Sequence, residues 1–296
     1  MAPPVTEVTR WLQSSVRWSD RTDAEWMCAK HLGPQMQSAV DDGILDCWFF
    51  IRKSPWWRLR YSPAQGVSLE RVRRRISAFL TGLESESRIS EYVHQVYEPE
   101  TTAFGGATAM DIAHRLFSRD TAAVADYLAL TAPAPGSDRR RELSLLLCTA
   151  LARAAGQEWF EQGDIWSRLA ALRGGTSTVI PTHPDKSAET VRRFLVADPE
   201  TTAGRLNGNQ AGLALKWIAA FRAAGTELRS IADQGQLERG LRAVLAHHIL
   251  FHWNRLGLPL PDQQHLARAA QTAVFTDHHP VNPGNAIRQE GPSRHE

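Results

Sequence analysis

With 296 residues, 43% of them hydrophobic and 22% charged, the chain can bury a sizeable core as one large domain or two small ones, in the manner of an ordinary soluble globular protein. A net charge of +2 offers no global field to recruit nucleic acid or an anionic membrane, although basic residues cluster at 71–75 (RVRRR) and 139–141 (RRR). No run approaches the ~18–20 apolar residues of a membrane span, no signal peptide is visible, and Cys28, Cys47 and Cys148 form neither a disulfide framework nor a CxxC metal site, so the expectation is a cytoplasmic protein.

After a polar start, residues 22–42 read as helical and end at a turn, "DDG" (41–43). The short, apolar, aromatic-rich "ILDCWFFIR" (44–52) is a buried-strand pattern. "KSP" then turns the chain into "WWRLRY" (56–61), where Trp57, Leu59 and Tyr61 alternate with Arg58 and Arg60. That alternation predicts a β-hairpin with both cations on one face. "SLERVRRRISAFLTGL" (68–83) predicts a helix capped by Ser68, with Val72, Ile76, Phe79, Leu80 and Leu83 as its apolar stripe. A further strand is expected over 89–100, stopped by "FGG" (104–106).

From Ala107 the pattern is helical, over 107–117, 120–131, 141–155, 158–173, 187–197, 209–224, 236–255 and 262–275. "TAPAPGS" (131–137) and "GGTSTVIPTHPDKS" (174–187) read as linker-like breaks, and the polar tail 276–296 as disordered. The fold class expected is α+β, with a sheet-containing N-terminal third packed by a mainly helical remainder.

Four constellations carry chemical interest. Arg58 and Arg60, projecting in parallel from a strand, can take a carboxylate or phosphate by charge-assisted hydrogen bonds. Arg52, Trp56 and Trp57 lie nearby, and arginine against indole suits a partly dry peptide or anion groove. The bland alternative is a pair of solvated arginines. In "YEPETTAFGG" (97–106), Glu98 and Glu100 stand at a strand end; a carboxylate there can act as a general base, hold an arginine, or simply start a helix. In "AHHILFHWNRLGLP" (246–259), His248 and His252 have the i, i+4 spacing of metal ligands, but no third ligand accompanies them and no metal is expected. His252, Asn254 and Arg255 can instead face a site. "AAGQEWFEQGDIW" (154–166) reads as a structural helix junction. No GxGxxG, GxxxxGK[ST] or GxSxG pattern is present, so nucleotide-dependent and hydrolase readings have no motif behind them.

"WFFIRKSPWWRLRY", "YEPETTAFGGATAMDIAHRLFSRD", "RELSLLLCTALARAAGQEWFEQGDIW" and "AHHILFHWNRLGLP" together resemble the thiopeptide-type bacteriocin biosynthesis proteins. These are stand-alone relatives of the C-terminal, glutamate-eliminating domain of class I lantibiotic dehydratases. The resemblance runs from about residue 8 to 275 and implies one domain of that type over 1–275. It implies work on a ribosomally made precursor peptide with a leader, beside a separate glutamylating dehydratase subunit, with a homodimer left open. No cofactor is implied, nor direct nucleic-acid contact.

The resemblance also implies roles. Arg58 and Arg60 occupy the paired-arginine positions and Glu100 matches a carboxylate of the Tyr-Glu-x-Glu block, which with His252 gives a catalytic set. Trp56, Trp57, Arg52, Tyr97, Asn254 and Arg255 form a substrate-binding set. In eliminating members an arginine stands three residues after the glutamate and a histidine four residues before the Asn-Arg pair; here these positions are Ala103 and Leu250. His252 lies about 200° around the helix from Leu250 and is no automatic substitute. The primary reading is elimination of glutamate from glutamylated serine or threonine, giving dehydroalanine or dehydrobutyrine. The alternatives are a pyridine-forming aza-[4+2] cyclisation with leader release, which some stand-alone members of the family perform, and a non-catalytic peptide-binding partner.

Overall fold

The computed structural model describes residues 11–20, 22–131, 138–174 and 186–276. The sequence's polar start supplies β1 (Leu12–Trp18), a strand that the pattern did not announce. Its residues Gln13, Ser14 and Ser15 are buried yet paired across the sheet. Ser14 Oγ lies 2.8 Å from Tyr61 Oη and 2.9 Å from His94 Nδ1, and Ser15 Oγ donates to Gln95 Oε1 at 2.6 Å. Polar groups satisfied in this way can sit between two neighbours without the apolar alternation that marks a strand.

The predicted hairpin forms as β2 (Leu45–Lys53) and β3 (Trp56–Pro63), with Phe49 opposite Arg60 and Ile51 opposite Arg58. β4 (Ile89–Gln95) completes an antiparallel sheet in the order β2-β3-β1-β4. It is shorter than the expected 89–100, because β1 starts at Leu12 and leaves nothing opposite the residues after Gln95.

Between β1 and β2 the chain is helical, as expected: α1 (Ala24–Met27), a π-helical turn (Cys28–Leu32) and α2 (Gly33–Asp41). α3 (Leu69–Ser85) is capped by Ser68, whose side chain accepts from the Arg71 amide at 3.2 Å, and buries Val72, Ile76, Leu80 and Leu83. It lies on the sheet face that carries Leu59, Tyr61, Tyr92 and His94, bonding through Ser77 Oγ to His94 Nε2 at 2.8 Å. The opposite face meets a smaller apolar cluster built from Phe49, Ile51, Tyr97, Phe104, Phe117 and Phe251.

α4 (Thr101–Phe104) ends in Gly105 and Gly106, whose φ of 92° and 105° no other residue type adopts comfortably. α5 (Ala107–Thr131) is one continuous helix and not the expected two, 107–117 and 120–131. Asp120 reads as a break in the apolar pattern, but it is fully buried and bonded from other elements. The remaining helices are α6 (Arg140–Ala154), α7 (Trp159–Leu172), α8 (Lys186–Val196), α9 (Pro199–Ala203), α10 (Gly208–Asp233), α11 (Leu241–Leu256) and α12 (Leu260–Phe275). α10 runs past the expected 224, and α11 begins after the expected 236, because the intervening turn uses Gly235 at φ 69°. The expected linker segments fall mostly on residues outside those described, as does the tail from 277. Among the described residues no helix is long and apolar enough to cross a membrane.

Candidate active site

The pleat of β3 puts Trp56, Arg58 and Arg60 on one face and Trp57, Leu59 and Tyr61 on the other. Arg60 is 6% exposed; its Nε donates to Gln13 Oε1 at 2.9 Å, and its guanidinium lies 4.3 Å over the Tyr97 ring and 5.5 Å from that of Phe49. Burial pulls its pKa below the usual arginine range, but a guanidinium keeps its charge there. Arg58, one pleat away, is half-buried, and among the described residues its guanidinium has no hydrogen-bond or ion-pair partner. Lys53, opposite Trp56 at the end of β2, is likewise unpaired among them.

Glu100 stands at the N-terminus of α4, close enough to Arg60 and Lys53 for their charges to act on it. Its Oε2 lies 3.4 Å from Nε2 of His247 on α11. The hydrogen bond from His247 lowers the Glu100 pKa first of all; partial burial works against it, and the charges of Arg60 and Lys53 add to the lowering. Phe104 and Phe251 hold the His247 ring at centroid distances of 5.2 and 5.5 Å. Tyr97 backs Arg60, with its hydroxyl 2.8 Å from His114 Nε2; burial pushes the tyrosine up to about 12 and the histidine down to about 4. Two cations, Arg60 and Lys53, thus act on one carboxylate that a histidine already engages, and Arg58 stands one pleat beyond Arg60. Such an arrangement can hold an anion and accept a proton beside it.

Trp56, Arg58 and Arg60 therefore share one face of the sheet, with Tyr97 and Glu100 next to Arg60. The other expected site residues lie elsewhere. Trp57 is buried on the opposite face, stacked on Phe50 at 4.8 Å with the Arg52 guanidinium 4.5 Å over it. Arg52 is ion-paired with Glu25 and donates to the Arg255 carbonyl at 2.9 Å. His252 is 1% exposed, with Nδ1 3.0 Å from Asp120 Oδ1. Arg255 is ion-paired with the same carboxylate, which also accepts from Trp217 Nε1 at 2.8 Å. Burial works to raise the Asp120 pKa, but His252 and Arg255 outweigh it and hold it low. This is a sealed polar hub beneath the sheet. Asn254 accepts from Arg173 Nη2 at 2.7 Å, away from the arginine pair. His248 is buried and neither ring nitrogen has a partner among the described residues; burial depresses its pKa to about 3.

Ala103 and Leu250 pack against the Phe49–Phe251 cluster. Each has at hand the side-chain type absent from its own position. Arg239 donates from Nη1 to the Ala103 carbonyl, and His247 stands one turn before Leu250. Sequence reading passed over both, since neither occupies a motif position. The spacing of 247 and 250, i and i+3 on a helix, was the available signal for the histidine.

A family model described as the lantibiotic biosynthesis dehydratase C-terminal region matches residues 11–274. The chain belongs to this family. Among solved structures, the tRNA-dependent lantibiotic dehydratase MibB from Microbispora sp. 107891 superposes with a TM-score of 0.68 at 18% identity, covering 93% of this chain and 29% of that one. The chain thus spans under a third of MibB. The pyridine synthase TbtD from thiomuracin biosynthesis gives 0.60 at 16% identity, covering 89% of this chain and 97% of TbtD. TsrL gives 0.57 at 19% identity, with 89% and 93% covered. At these identities the likeness shows a shared fold. No curated protein matches the chain. Within the dehydratase C-terminal family, then, this member carries its arginine pair on a four-stranded sheet, with Glu100 at the start of α4 and His247 on α11 beside it.

Proposed function

We propose that this chain is a maturation enzyme for a ribosomally made precursor peptide, and that it eliminates glutamate from glutamylated serine or threonine. The observation that carries the reading is the cluster itself: Arg60 and Lys53 act on the Glu100 carboxylate, and Arg58 stands one pleat from Arg60, unpaired among the described residues. A departing glutamate bears carboxylates that guanidiniums hold well, and the enolate-like charge that builds up on the substrate needs fixed donors. Glu100, kept ionised, takes the Cα proton. The C–H electron pair becomes the Cα=Cβ double bond, and the Cβ–O bond breaks with its electrons on the glutamate carboxylate. The glutamylating subunit and the leader-bearing peptide are the partners that this chemistry requires.

A second reading is supported by the near-complete coverage of TbtD, whose length this chain matches, against 29% of MibB. Here the same face would preorganise two dehydroalanines for pyridine formation. Mass spectrometry of two synthetic peptides separates the readings, one carrying a glutamyl-serine ester and the other two dehydroalanines at thiopeptide spacing. Loss of glutamic acid from the first, abolished by Arg58→Ala with fold and peptide binding retained, is the expected result. Leader release and a pyridine chromophore from the second would replace elimination by cyclisation. Binding without turnover of either would leave a peptide-binding partner.

A further inference from the structure

We infer that His247 is a positioning residue: as an Nε2–H donor it fixes one oxygen of Glu100 and thereby orients the other beside Arg60. The inference rests on the reading of Glu100 as the proton acceptor, but part of its test does not. The histidine's tautomer follows from its surroundings. An ionised carboxylate only accepts hydrogen bonds, so the nitrogen that meets Glu100 Oε2 carries the proton. The other nitrogen, Nδ1, is buried with no partner among the described residues. A buried lone pair there is tolerable, whereas a second buried, unbonded N–H would cost more. Both ends of the ring thus point to a proton on Nε2.

The ring cannot swing freely. Phe104 and Phe251 flank it, and its side chain is 14% exposed. Glu100 by contrast sits at the start of a four-residue helix with half its side chain in solvent, and its Oε1 has no partner among the described residues. Left alone, such a carboxylate would sample several rotamers. At 3.4 Å the contact is long, as apo catalytic pairs often are before substrate tightens them. Every other described histidine is engaged elsewhere or sealed: His31 by Arg88, His94 by Ser14 and Ser77, His114 by Tyr97, His252 by Asp120 and His265 by Ser187, while His248 is buried without a partner among the described residues.

The test compares His247→Leu, which removes the donor, with His247→Gln, which keeps one of similar reach. On the glutamyl-peptide, His247→Leu is expected to lower kcat by roughly ten- to a hundredfold with KM little changed, the scale of a misplaced catalytic group. The acid limb of the kcat profile should move to higher pH. The groups around Glu100 set that sign: His247 from α11, Arg60 from β3 and Lys53 from β2 favour its ionised form, Tyr97 beside it is neutral, and only the first is removed. His247→Gln should restore most of both. The activity-independent arm follows the Glu100 carboxyl by carbon NMR through an acid titration: its midpoint rises in His247→Leu and returns towards wild type in His247→Gln. Unchanged titration in His247→Leu, judged folded by its spectrum, overturns the inference whatever the reaction proves to be. Wild-type inactivity on the peptide with the titration shift present would sink the elimination reading alone.

Discussion

Arg58 and Arg60 are two residues apart on one strand face and have different physical lives. Arg60 is locked by Gln13 and the faces of Tyr97 and Phe49, while Arg58 is held by no hydrogen bond or ion pair among the described residues. Replacing Arg60 with lysine removes the planar fork and leaves Gln13 Oε1 buried without its donor. That change should cost roughly 1–3 kcal/mol in urea unfolding. Arg58→Ala should stay within about 0.5 kcal/mol of wild type in the same measurement, since it breaks no hydrogen bond or ion pair among the described residues. Equal losses from both would show that the pair is structural. The alternation in "WWRLRY" was enough to place both cations on one face; that one is rigid and the other available depends on Gln13, a residue from the strand that the sequence pattern hid.

At the scale of elements, Glu100 stands at the start of α4, whose far end is the glycine turn into α5. Gly105 and Gly106 hold left-handed conformations, and a Cβ on Gly105 would fall 2.7 Å from Leu237 Cδ1. Gly105→Ala is expected to destabilise the fold by roughly 1–3 kcal/mol, through backbone strain and this clash. Because α4 is only four residues long, the same substitution should also reduce turnover. Chemical denaturation and a kinetic assay check the two effects; a stable, fully active variant would mean that the turn does not govern the carboxylate. The "FGG" break was legible because the two glycines announce such backbone. β1 was not, because its buried serines and glutamine find partners 47 to 82 residues away, and nothing local records that.

For the molecule as a whole, Glu25 acts as a clasp. Its carboxylate is ion-paired with Arg52 of β2 and Arg140 of α6, and those arginines also bond the carbonyls of Arg255 and Leu256 at the end of α11. Burial alone would raise the Glu25 pKa, but the two arginines outweigh it and bring it from the ordinary 4.5 down to about 2. A depressed carboxylate contributes stability that is full above its unfolded-state value and is lost as the pH falls towards the native one. Stability should therefore decline between pH 4.5 and about 2, and Glu25→Gln should flatten that part of the profile. At neutral pH the variant should lose roughly 1–2 kcal/mol, less than a sealed pair would, because a third of the side chain is in water. Urea midpoints across this pH range test it; an unchanged slope in the variant would assign the acid sensitivity to other carboxylates.

What the sequence determined unaided is what short-range periodicity and residue type encode: the hairpin, the capped helix over 68–83, the helical remainder, and, through four blocks that resemble it in order, the family. Those features repeat every two or 3.6 residues and so are visible in one dimension. The convergence of side chains was decided only by the tertiary structure. His247 reaches Glu100 across 147 positions, and Asp120 gathers His252 and Arg255 from 132 and 135 positions away, turning expected site residues into a buried hub. Whether a polar side chain faces a recess or a sealed core depends on which helix packs against it, and that is a property of the assembled layers, not of any local stretch.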